Sequence, residues 1–383
     1  MGSLLPAWNG FQLTVNKWFH RPDFFALRAC LATARALDLN TGPVWLMLIG
    51  PSSCGKSELY LNSLDCYPRL ERTSDINIPA LISMENGKQG NGILKRLTPT
   101  GLWVISDFSS ILSGREETRN QVTAACREIF DGRYQRAGRG ENQVWQGKIN
   151  IVAACTPSID NYYRVHADLG ERFLQVQIDR IDSCRELRRK VGLQRNNLNK
   201  FHKDIVAGSK SLFDGPTDVE IPDAMDEAIS RWAEFTSFTR RVVSRHSYTG
   251  EISSLGYAEG SGRLHGEMCS LAMGDASITG SDTVGPDQIE LVARIAIDSL
   301  TRTRRAILSS FLQFPLGEEL RRADLQEISG ISHPQTFTRA LEDLQAIDVL
   351  ESRENGLNST YLRTSYNITT LLKPLFSTKT LVT

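Results

Sequence analysis

The stretch VWLMLIGPSSCGKSELYLNSL, residues 44–64, decides the fold. It begins with a short, continuous apolar run, which is typical of a strand that a parallel sheet buries on both faces. The run GPSSCGKS, from Gly50 to Ser57, then satisfies the pattern GxxxxGK(S/T) of a phosphate-binding loop. A helical segment, SELYLNSL, follows the loop. Strand, loop and helix in this order predict a nucleotide site at residues 50–57.

The residue types in this loop suit a triphosphate. Glycines let backbone N–H groups wrap the phosphates, and the start of the following helix adds a favourable partial charge. We expect Lys56 to reach the β- and γ-phosphates and the Ser57 hydroxyl to bind Mg²⁺, so ATP and Mg²⁺ are the predicted cofactors. The residues predicted to contact the nucleotide are Gly50, Pro51, Ser52, Ser53, Cys54, Gly55, Lys56, Ser57 and Glu58.

Three more apolar runs extend the predicted sheet. They are LWVIS at 102–106, INIVAAC at 149–155 and FLQVQI at 173–178. Helical stretches lie between them, and strands that alternate with helices are typical of an α/β domain. We therefore predict an α/β core with a parallel sheet over residues 41–180, after an N-terminal helical segment at 1–40.

An acid at the end of a neighbouring strand completes a site of this kind. Asp107 is the candidate, but the chain reads Ser106-Asp107-Phe108 and so offers one acid rather than an adjacent Asp-Glu pair. Asp107 either orders the Mg²⁺ shell, and the water-activating acid is then missing, or takes the place of that acid, and Ser106 then replaces the first one. Both alternatives predict slow hydrolysis unless another carboxylate, such as Glu85, contributes.

Two further residues are candidates for catalysis. Thr156 follows the run at 149–155, where its hydroxyl can hydrogen-bond the γ-phosphate or the attacking water; capping the next turn is its alternative role. Arg172 comes just before the last strand, where it can reach the nucleotide of a neighbouring subunit and stabilise transition-state charge. A salt bridge within its own subunit is the alternative for Arg172.

Together these elements resemble the AAA+ ATPases over about residues 40–300. The loop, the strand that ends at Asp107, the Thr156-Pro157 pair and GERF at 170–173 follow the order of that family's Walker A, Walker B, sensor 1 and arginine-finger motifs. Within the family the chain is most similar to the minichromosome-maintenance-type helicases and their phage or mobile-element relatives. That likeness rests on ISDFSSI at 105–111, REIFDGRYQRAG at 127–138 and GRLHGEMCSLAMGDASITG at 262–280.

The resemblance implies functions for further residues. It implies a helical lid over 181–300, with Arg263 as a second nucleotide sensor. It also implies a hairpin whose Arg136 contacts DNA in a central channel, with Arg133 and Arg139 as the next candidates. Beside Tyr134, these arginines form a basic and aromatic patch in the sequence, and such patches suit single-stranded DNA. A solvated hairpin is the alternative.

Residues 301–383 have the order of a winged helix-turn-helix: helix, short helix, turn, helix and hairpin. The segment holds ten Lys or Arg and nine Asp or Glu, and its third helix carries Arg339 but also Glu342 and Asp343. A helix that reads the major groove usually has a basic face. The sequence therefore supports two roles for this segment equally: it docks a partner protein, or it reads DNA.

Overall composition restricts the class of protein. Among 383 residues, 44 Lys and Arg balance 44 Asp and Glu, so affinity for DNA needs local patches. One such patch, at 185–203, holds seven Lys or Arg and one acidic residue; we expect a solvated face of the lid there, with DNA contact as the alternative.

No apolar run is long enough to span a membrane, and the first residues lack a signal-peptide pattern. Seven scattered cysteines favour a reducing, cytoplasmic location over a disulfide framework or a zinc site.

These expectations combine into one functional hypothesis with two alternatives. The hypothesis is an ATP-dependent DNA motor, a helicase or translocase, that forms a homo-oligomeric ring, most simply a hexamer, with ATP at the subunit interfaces. The first alternative is a helicase loader or an ATP-switched scaffold in replication, transposition or defence. The second is a transcriptional regulator that acts through the winged helix.

Overall fold

The computed structural model of the protein describes residues 7–82, 84–85, 88–89, 92–137, 142–162, 172–179, 183–246, 248–355 and 359–377. The chain divides into two compact units. The first unit consists of residues 1–222 and 269–291, and the second of 223–268 and 292–383. The predicted domain boundaries after residues 40, 180 and 300 stay predictions.

A parallel sheet lies at the centre of the first unit. The strands of this unit are β1 (Trp45–Ile49), β2 (Leu70–Thr73), β3 (Met84–Glu85), β4 (Lys88–Gln89), β5 (Thr100–Ile105), β6 (Arg133–Ala137), β7 (Asn142–Gln146), β8 (Lys148–Cys155) and β9 (Leu174–Gln177). Five of them form one sheet in the order β2-β5-β8-β1-β9, in which every neighbouring pair is parallel. The pairs β3–β4 and β6–β7 are antiparallel and lie outside that sheet.

Helices flank the sheet. They are α1 (Ala7–Trp18), α2 (Phe24–Arg35), α3 (Ile78–Leu81), α4 (Ile93–Arg96), α5 (Ser109–Leu112), α6 (Glu116–Phe130), α7 (Arg185–Asn196) and α8 (Leu198–Lys210). Shorter helical turns occur at Lys56–Leu61, which is of the wide π type, and at Asn62–Cys66, Pro157–Tyr162 and Ser211–Asp214, which are of the 3₁₀ type.

Burial on both faces explains why the central strands are continuously apolar. Every residue of β1 is buried. Trp45, Met47 and Ile49 belong to one core cluster together with residues of α6, while α2 packs against β1 and β8. The buried Asn150 side chain links these layers, because it accepts from the Val44 N–H at 2.9 Å and donates to a carbonyl of α2 at 2.6 Å.

The structure confirms the α/β class and the four predicted strands, which are β1, β5, β8 and β9. It adds a fifth parallel strand, β2, which we did not predict. Its sequence, LERT, is polar and only partly buried at the edge of the sheet, so it lacks the apolar run that marks the central strands. The helix predicted after the loop is present as a π-type turn that continues into a 3₁₀ turn.

The second unit combines helices with a small sheet. The remaining helices among the described residues are α9 (Asp223–Thr239), α10 (Ser261–Thr279), α11 (Pro286–Asp298), α12 (Arg302–Phe311), α13 (Arg322–Ser329), α14 (Pro334–Ala346) and α15 (Tyr366–Ser377). The remaining strands are β10 (Val243–Arg245), β11 (Ile252–Leu255), β12 (Leu320–Arg321), β13 (Leu350–Asn355) and β14 (Ser359–Thr364). The division between the units falls within α10 and α11.

From residue 302 onward the predicted helix, short helix, turn, helix and hairpin are present, and two elements that we did not predict are added: β12 before the short helix and α15 after the hairpin. Strands β12, β14 and β13 form one antiparallel sheet. We did not predict the antiparallel pair β10–β11, which interrupts an otherwise helical region. Its strands are short, and Gly250, with φ of 75°, supplies the left-handed residue that the turn between them requires. Among the described residues, no helix combines the length and the apolar character needed to cross a membrane.

Candidate nucleotide site

The loop after β1 requires glycine at two positions. At Gly50, a Cβ atom would lie 2.8 Å from the Cys54 sulfur and 3.0 Å from the Ile178 carbonyl oxygen. At Gly55 the backbone is left-handed, with φ of 87°, and Ser53 is also left-handed, with φ of 63°. Left-handed residues curl a loop so that its N–H groups form a concave site for anions. The backbone of this loop therefore suits a phosphate group.

The Lys56 ammonium is folded back onto the loop that precedes it. It donates hydrogen bonds to the carbonyl oxygens of Gly50 and Pro51, the second at 2.7 Å, and lies 3.8 Å from the Cys54 sulfur. A phosphate oxygen is a stronger acceptor for an ammonium than either carbonyl, because both partners of that bond are ionised. Lys56 is therefore positioned to exchange these carbonyls for an anion.

A cleft of about 240 Å³, which we call the loop cleft, adjoins the loop. It gathers four residues that separate sequence patterns predicted: Lys56, Ser57, Asp107 and Thr156. The complete lining consists of Ser52, Ser53, Lys56, Ser57, Glu58, Ser106, Asp107, Ala154, Cys155 and Thr156. Groups that can hold cation and phosphate thus face one small volume.

The register of the sheet explains this convergence. Ile49 at the end of β1 stands opposite Cys155 at the end of β8, and Ile105 at the end of β5 stands opposite Ala153. Because the three strands are neighbours and parallel, their carboxyl ends reach the same edge of the sheet. Ligands of open α/β sheets bind outside that edge.

Hydrogen bonds fix the end of β5 to the end of β8. One carboxylate oxygen of Asp107 accepts from the Ser109 N–H at 3.0 Å, and the Phe108 N–H donates to the Ala154 carbonyl at 2.7 Å. The Ser109 hydroxyl accepts from the Thr156 N–H at 3.0 Å and lies 3.1 Å from the Thr156 hydroxyl. Ser109, which we did not predict, therefore links the acid to Thr156.

Thr156 also takes part in the turn that follows it, which was its alternative role. Its carbonyl accepts from the Ile159 N–H at 3.2 Å, and its hydroxyl lies 2.6 Å from the Ser158 hydroxyl. The hydroxyl still lines the loop cleft. The two roles are compatible, because the cap uses the carbonyl while a ligand would meet the hydroxyl.

The charge of the loop cleft comes from few groups. Of the described residues, Asp107 and Glu58 supply its carboxylates and Lys56 its cation. Burial raises the pKa of the Cys155 thiol to about 11, so this lining residue is uncharged at neutral pH. The side chain of Glu85, the other acid considered from the sequence, lies outside the described part of the structure.

A second cavity, of about 510 Å³, adjoins the same loop, and we call it the side cavity. Pro51, Ser52, Ser53, Cys54, Gly55 and Glu58 line one part of it, and the rest is lined by Phe19, His20, Leu187, Lys190, Val191 and Gln194. We missed this second group in the sequence. The spacing of its four α7 residues, at i, i+3, i+4 and i+7, marks one face of a helix and could have indicated it. No comparable signal marks Phe19 and His20.

Arg172 lies at the opposite end of the sheet from the loop. It precedes β9, whose Leu174 stands opposite Leu46, near the start of β1. Its guanidinium forms an ion pair with Asp131 at 3.6 Å and lies over the Phe130 ring, 5.5 Å from the centroid. The salt bridge within the subunit is thus formed, and Arg172 can meet a loop cleft only on another molecule. Gly170 and Glu171 of the GERF run lie outside the described residues.

Arg263, the predicted second sensor, belongs to the second unit. It lies at the start of α10, where its guanidinium pairs with Glu259 and lies 3.5 Å from a carboxylate oxygen of Glu267. Glu267 is buried, whereas Arg263 and Glu259 are partly exposed, so Arg263 is held by acids of its own unit at the edge of the interior. A contact of Arg263 with nucleotide stays a prediction.

The β6–β7 pair contains two of the three arginines that we proposed for DNA. Arg133 is exposed, whereas Arg136 is half-buried and donates to the carbonyl oxygens of Pro79 and Ile82, each at 3.3 Å. Arg139 lies outside the described residues. The two arginines differ because successive residues of a strand point to opposite faces.

The expected basic and aromatic patch is wrong with respect to its aromatic member. Tyr134 is buried, stands opposite the buried Trp145 and belongs with it to the core cluster beneath the sheet. Arg136 shares the face of Tyr134, since the two are separated by one residue, and Arg133 lies on the other face. Of the described pair, Arg133 is therefore the more accessible.

Searches against protein-family models and against curated proteins find no match to this chain.

Proposed function

We propose that the chain is an AAA+ ATPase that acts as an ATP-dependent DNA motor, a helicase or translocase of phage or mobile-element type. The single observation that carries the proposal is the loop cleft, where Lys56, Ser57, Asp107 and Thr156 converge at the ends of neighbouring parallel strands. Each residue alone has an ordinary structural explanation. Their convergence beside a curled, glycine-dependent loop is what hydrolysis of a bound triphosphate requires.

The chemistry of the donors fits a Mg²⁺–triphosphate. Mg²⁺ prefers oxygen ligands, and Ser57 and Asp107 offer a hydroxyl and a carboxylate within one cleft. When bound, Mg²⁺ neutralises charge on the transferring phosphoryl group. Lys56 exchanges its carbonyl acceptors for phosphate oxygens, and Thr156 hydrogen-bonds either the γ-phosphate or the attacking water.

The side cavity suits the base of the nucleotide. Phe19, Leu187 and Val191 give it apolar and aromatic walls, which is typical of pockets that enclose a planar ring. It shares Ser52, Ser53 and Glu58 with the loop cleft, so one ligand can reach from one space into the other. A purine nucleoside triphosphate has this combination of an apolar ring and a charged tail.

The oligomeric part of the proposal depends on Arg172. Since this residue lies at the far end of its own sheet, it acts on the nucleotide of a neighbouring subunit in a ring, which we take to be a hexamer. In this proposal residues 181–300 form the lid, with Arg263 as a candidate sensor, and 301–383 form a winged helix. DNA passes through the centre of the ring, against the β6–β7 hairpin.

The substitution Lys56→Ala tests the enzymatic core of the proposal. We expect ATP hydrolysis, measured as phosphate release with and without DNA, to fall roughly a hundredfold or more, because one charge-stabilising donor is removed. Lys210→Ala, which removes an exposed lysine from the end of α8, is the matched control and keeps wild-type rates. Equal rates in both variants would place the hydrolysis elsewhere.

The hairpin is tested by Arg133→Ala and Arg136→Ala. If the hairpin transmits DNA binding to the loop cleft, Arg133→Ala lowers the stimulation of hydrolysis by DNA, since its guanidinium is the exposed one. Arg136→Ala alters stimulation only through the anchoring of the hairpin. Stimulation that survives both changes at unchanged DNA affinity removes the hairpin from the mechanism.

A second candidate function is an ATP-switched scaffold or helicase loader. It is favoured by the loop cleft, which holds Asp107 next to Ser106 rather than a pair of adjacent acids. Slow hydrolysis suits a switch better than a motor. Strand displacement on forked DNA distinguishes the two, because a motor separates the strands and a scaffold only coats them.

The winged-helix regulator has less support. The acids of α14 are engaged by β10, because Arg245 pairs with Glu342 at 2.9 Å and with Asp343 at 2.7 Å. The β10–β11 hairpin therefore lies against the helix that would enter a major groove. A DNA footprint confined to one operator sequence would support the regulator function instead.

A further inference from the structure

Helix α7 carries two sets of residues with different surroundings. Leu187, Lys190, Val191 and Gln194 line the side cavity. The Lys190 ammonium donates to the carbonyl oxygens of Asn16 and Lys17, at 2.6 and 2.7 Å, and so ties this face of α7 to the end of α1. The helix is thereby anchored beside the loop by the same side on which it encloses the side cavity.

Three exposed arginines of α7, Arg185, Arg188 and Arg195, lie outside the row that lines the side cavity, and we call them the arginine stripe. Their spacing of three and seven residues keeps them on one side of a helix, over a length of about 15 Å. Among the described residues, none of the three forms an ion pair; Arg188 donates one hydrogen bond, to the Ser183 hydroxyl at 3.3 Å. Arg189 differs, because its guanidinium is paired with Glu186.

We propose that the arginine stripe binds the phosphate backbone of duplex DNA, and that nucleotide in the side cavity adjusts this contact through α7. The nucleotide part rests on the proposed function; the DNA part does not. The chain as a whole is electrically neutral, whereas residues 185–203 hold seven Lys or Arg and one acid. Such a local excess attracts a polyanion even when net charge does not.

The composition of the stripe favours duplex DNA over other polyanions. Single-stranded DNA is usually held by aromatic side chains on which bases stack, and α7 contains none. A helix that binds a membrane surface needs an apolar face for the acyl boundary. In α7, Leu187 and the partly exposed Val191 line the side cavity, and the other exposed residues of the helix are polar: Arg185, Arg188, Arg189, Arg195 and Asn196. In a duplex the bases are paired, so arginines contact the phosphates of the backbone rather than stack on bases.

The position of α7 explains why nucleotide affects the contact. In this proposal one row of α7 residues borders the ligand and the arginine stripe beside it contacts DNA, so a ligand that orders α7 also fixes the arginine stripe. Linkage then requires DNA to strengthen nucleotide binding by the same factor. We expect this factor to be about fivefold, at the low end of typical coupling between two sites.

The test compares the wild-type chain with the triple variant Arg185→Gln/Arg188→Gln/Arg195→Gln. Affinity for a fluorescent duplex is measured by anisotropy over a range of salt concentrations, with and without ATP. A matched variant, Arg115→Gln/Arg127→Gln/Lys373→Gln, removes three exposed positive charges elsewhere. Binding of a fluorescent ATP analogue, of a single-stranded oligonucleotide and of anionic phosphatidylserine vesicles is measured in parallel.

We expect the stripe variant to lose about 2.7 units from the slope of log affinity against log salt, at about 0.9 per phosphate contact. When salt rises from 50 to 200 mM, the stripe variant should therefore lose roughly fortyfold less of its duplex affinity than the wild type loses. The matched variant keeps the wild-type slope, and both variants keep their affinity for the ATP analogue.

An unchanged slope in the stripe variant, or an equal loss in both variants, overturns the proposal. A loss confined to single strands or to vesicles also overturns it, in favour of that partner. If ATP binds but leaves duplex affinity unchanged in the wild type, the coupling is wrong. If the wild type binds no ATP while the stripe variant still loses slope, the proposed function fails and the DNA contact stands.

Discussion

The β6–β7 hairpin and helix α7 each concentrate arginines in a short segment, yet the structure uses these arginines differently. Arg136 of the hairpin donates to two backbone carbonyls. Arg185 and Arg195 of α7 are exposed, and neither forms an ion pair with any described residue. We had expected DNA contact at the hairpin and a solvated surface at α7. The difference teaches that partners and burial, rather than the density of arginines in a sequence, decide which guanidinium is available to a phosphate.

The two regions differ because their neighbours do. The hairpin packs one face into the core, where Trp145 donates its indole N–H to the Thr98 hydroxyl at 2.9 Å. A strand that buries one face draws every second residue inward, and Arg136 is among them. Helix α7 lines the side cavity with its Leu187 side, where no residue is fully buried, and its arginine stripe is exposed. The hairpin thus contributes more to the folded core, and the arginines of α7 are more accessible to a ligand.

The strongest test of this contrast is a pair of truncations, Trp145→Ala in the hairpin and Arg188→Ala in α7. Trp145 is buried in the core cluster, so its removal should lower the free energy of unfolding by about 3–5 kcal/mol. Arg188 is exposed, and its removal should change that free energy by less than about 0.5 kcal/mol. Urea denaturation followed by tryptophan fluorescence measures the difference. Equal losses would contradict the assignment of the hairpin to the core.

A smaller effect is expected for ATP affinity, from Leu187→Ala. Leu187 lines the side cavity, and loss of part of its apolar contact, about 1.4 kcal/mol, should raise the Kd for ATP about tenfold. Val144→Ala provides the matched control, because it shortens an exposed aliphatic side chain of β7. Titration with a fluorescent ATP analogue measures both. An unchanged Kd in Leu187→Ala would separate α7 from the nucleotide and with it the proposed coupling.

The sheet and the loop cleft could be predicted because they depend on local patterns in the individual strands. The apolar runs before Gly50, Asp107 and Thr156 predict parallel strands, and parallel strands bring their carboxyl ends to one edge. That simple consequence is enough to place the loop, the acid and the threonine together, as the loop cleft does. The patterns also predict the order of elements after residue 302, because each helix there has its own periodicity.

What could not be predicted depends on contacts between distant segments. Phe19 and Leu187 line one cavity although 167 residues separate them, and the helical spacing that includes Leu187 does not reveal which distant segment it faces. The engagement of Arg136 depends on the carbonyls of Pro79 in α3 and of Ile82 just after it, which no spacing in the hairpin reveals. Strand β2 escaped notice because an edge strand buries too little to need an apolar run.

The smallest expected effect is on the alkylation of two cysteines, one next to α7 and one in the helix that packs against the hairpin. Cys54 is partly exposed and lines the side cavity next to α7, while Cys126 is buried in α6, which packs against β6. Burial raises the pKa of the Cys126 thiol to about 12, against a smaller opposing effect of Arg172, so the reactive thiolate is scarce there. We expect iodoacetamide at pH 8 to modify Cys54 and to leave Cys126 unmodified, as measured by peptide mass spectrometry.

ATP at four times its Kd should slow the modification of Cys54 about fivefold, because only the unliganded fraction reacts. In Lys56→Ala this protection should weaken, since the phosphates lose their cation, whereas Arg133→Ala should retain it. Modification of Cys54 at the same rate with and without ATP would mean that the nucleotide does not occupy the cavity beneath α7. Rapid modification of Cys126 in the folded chain would mean that the hairpin opens readily, and the contrast between an anchored hairpin and an accessible helix would then be lost.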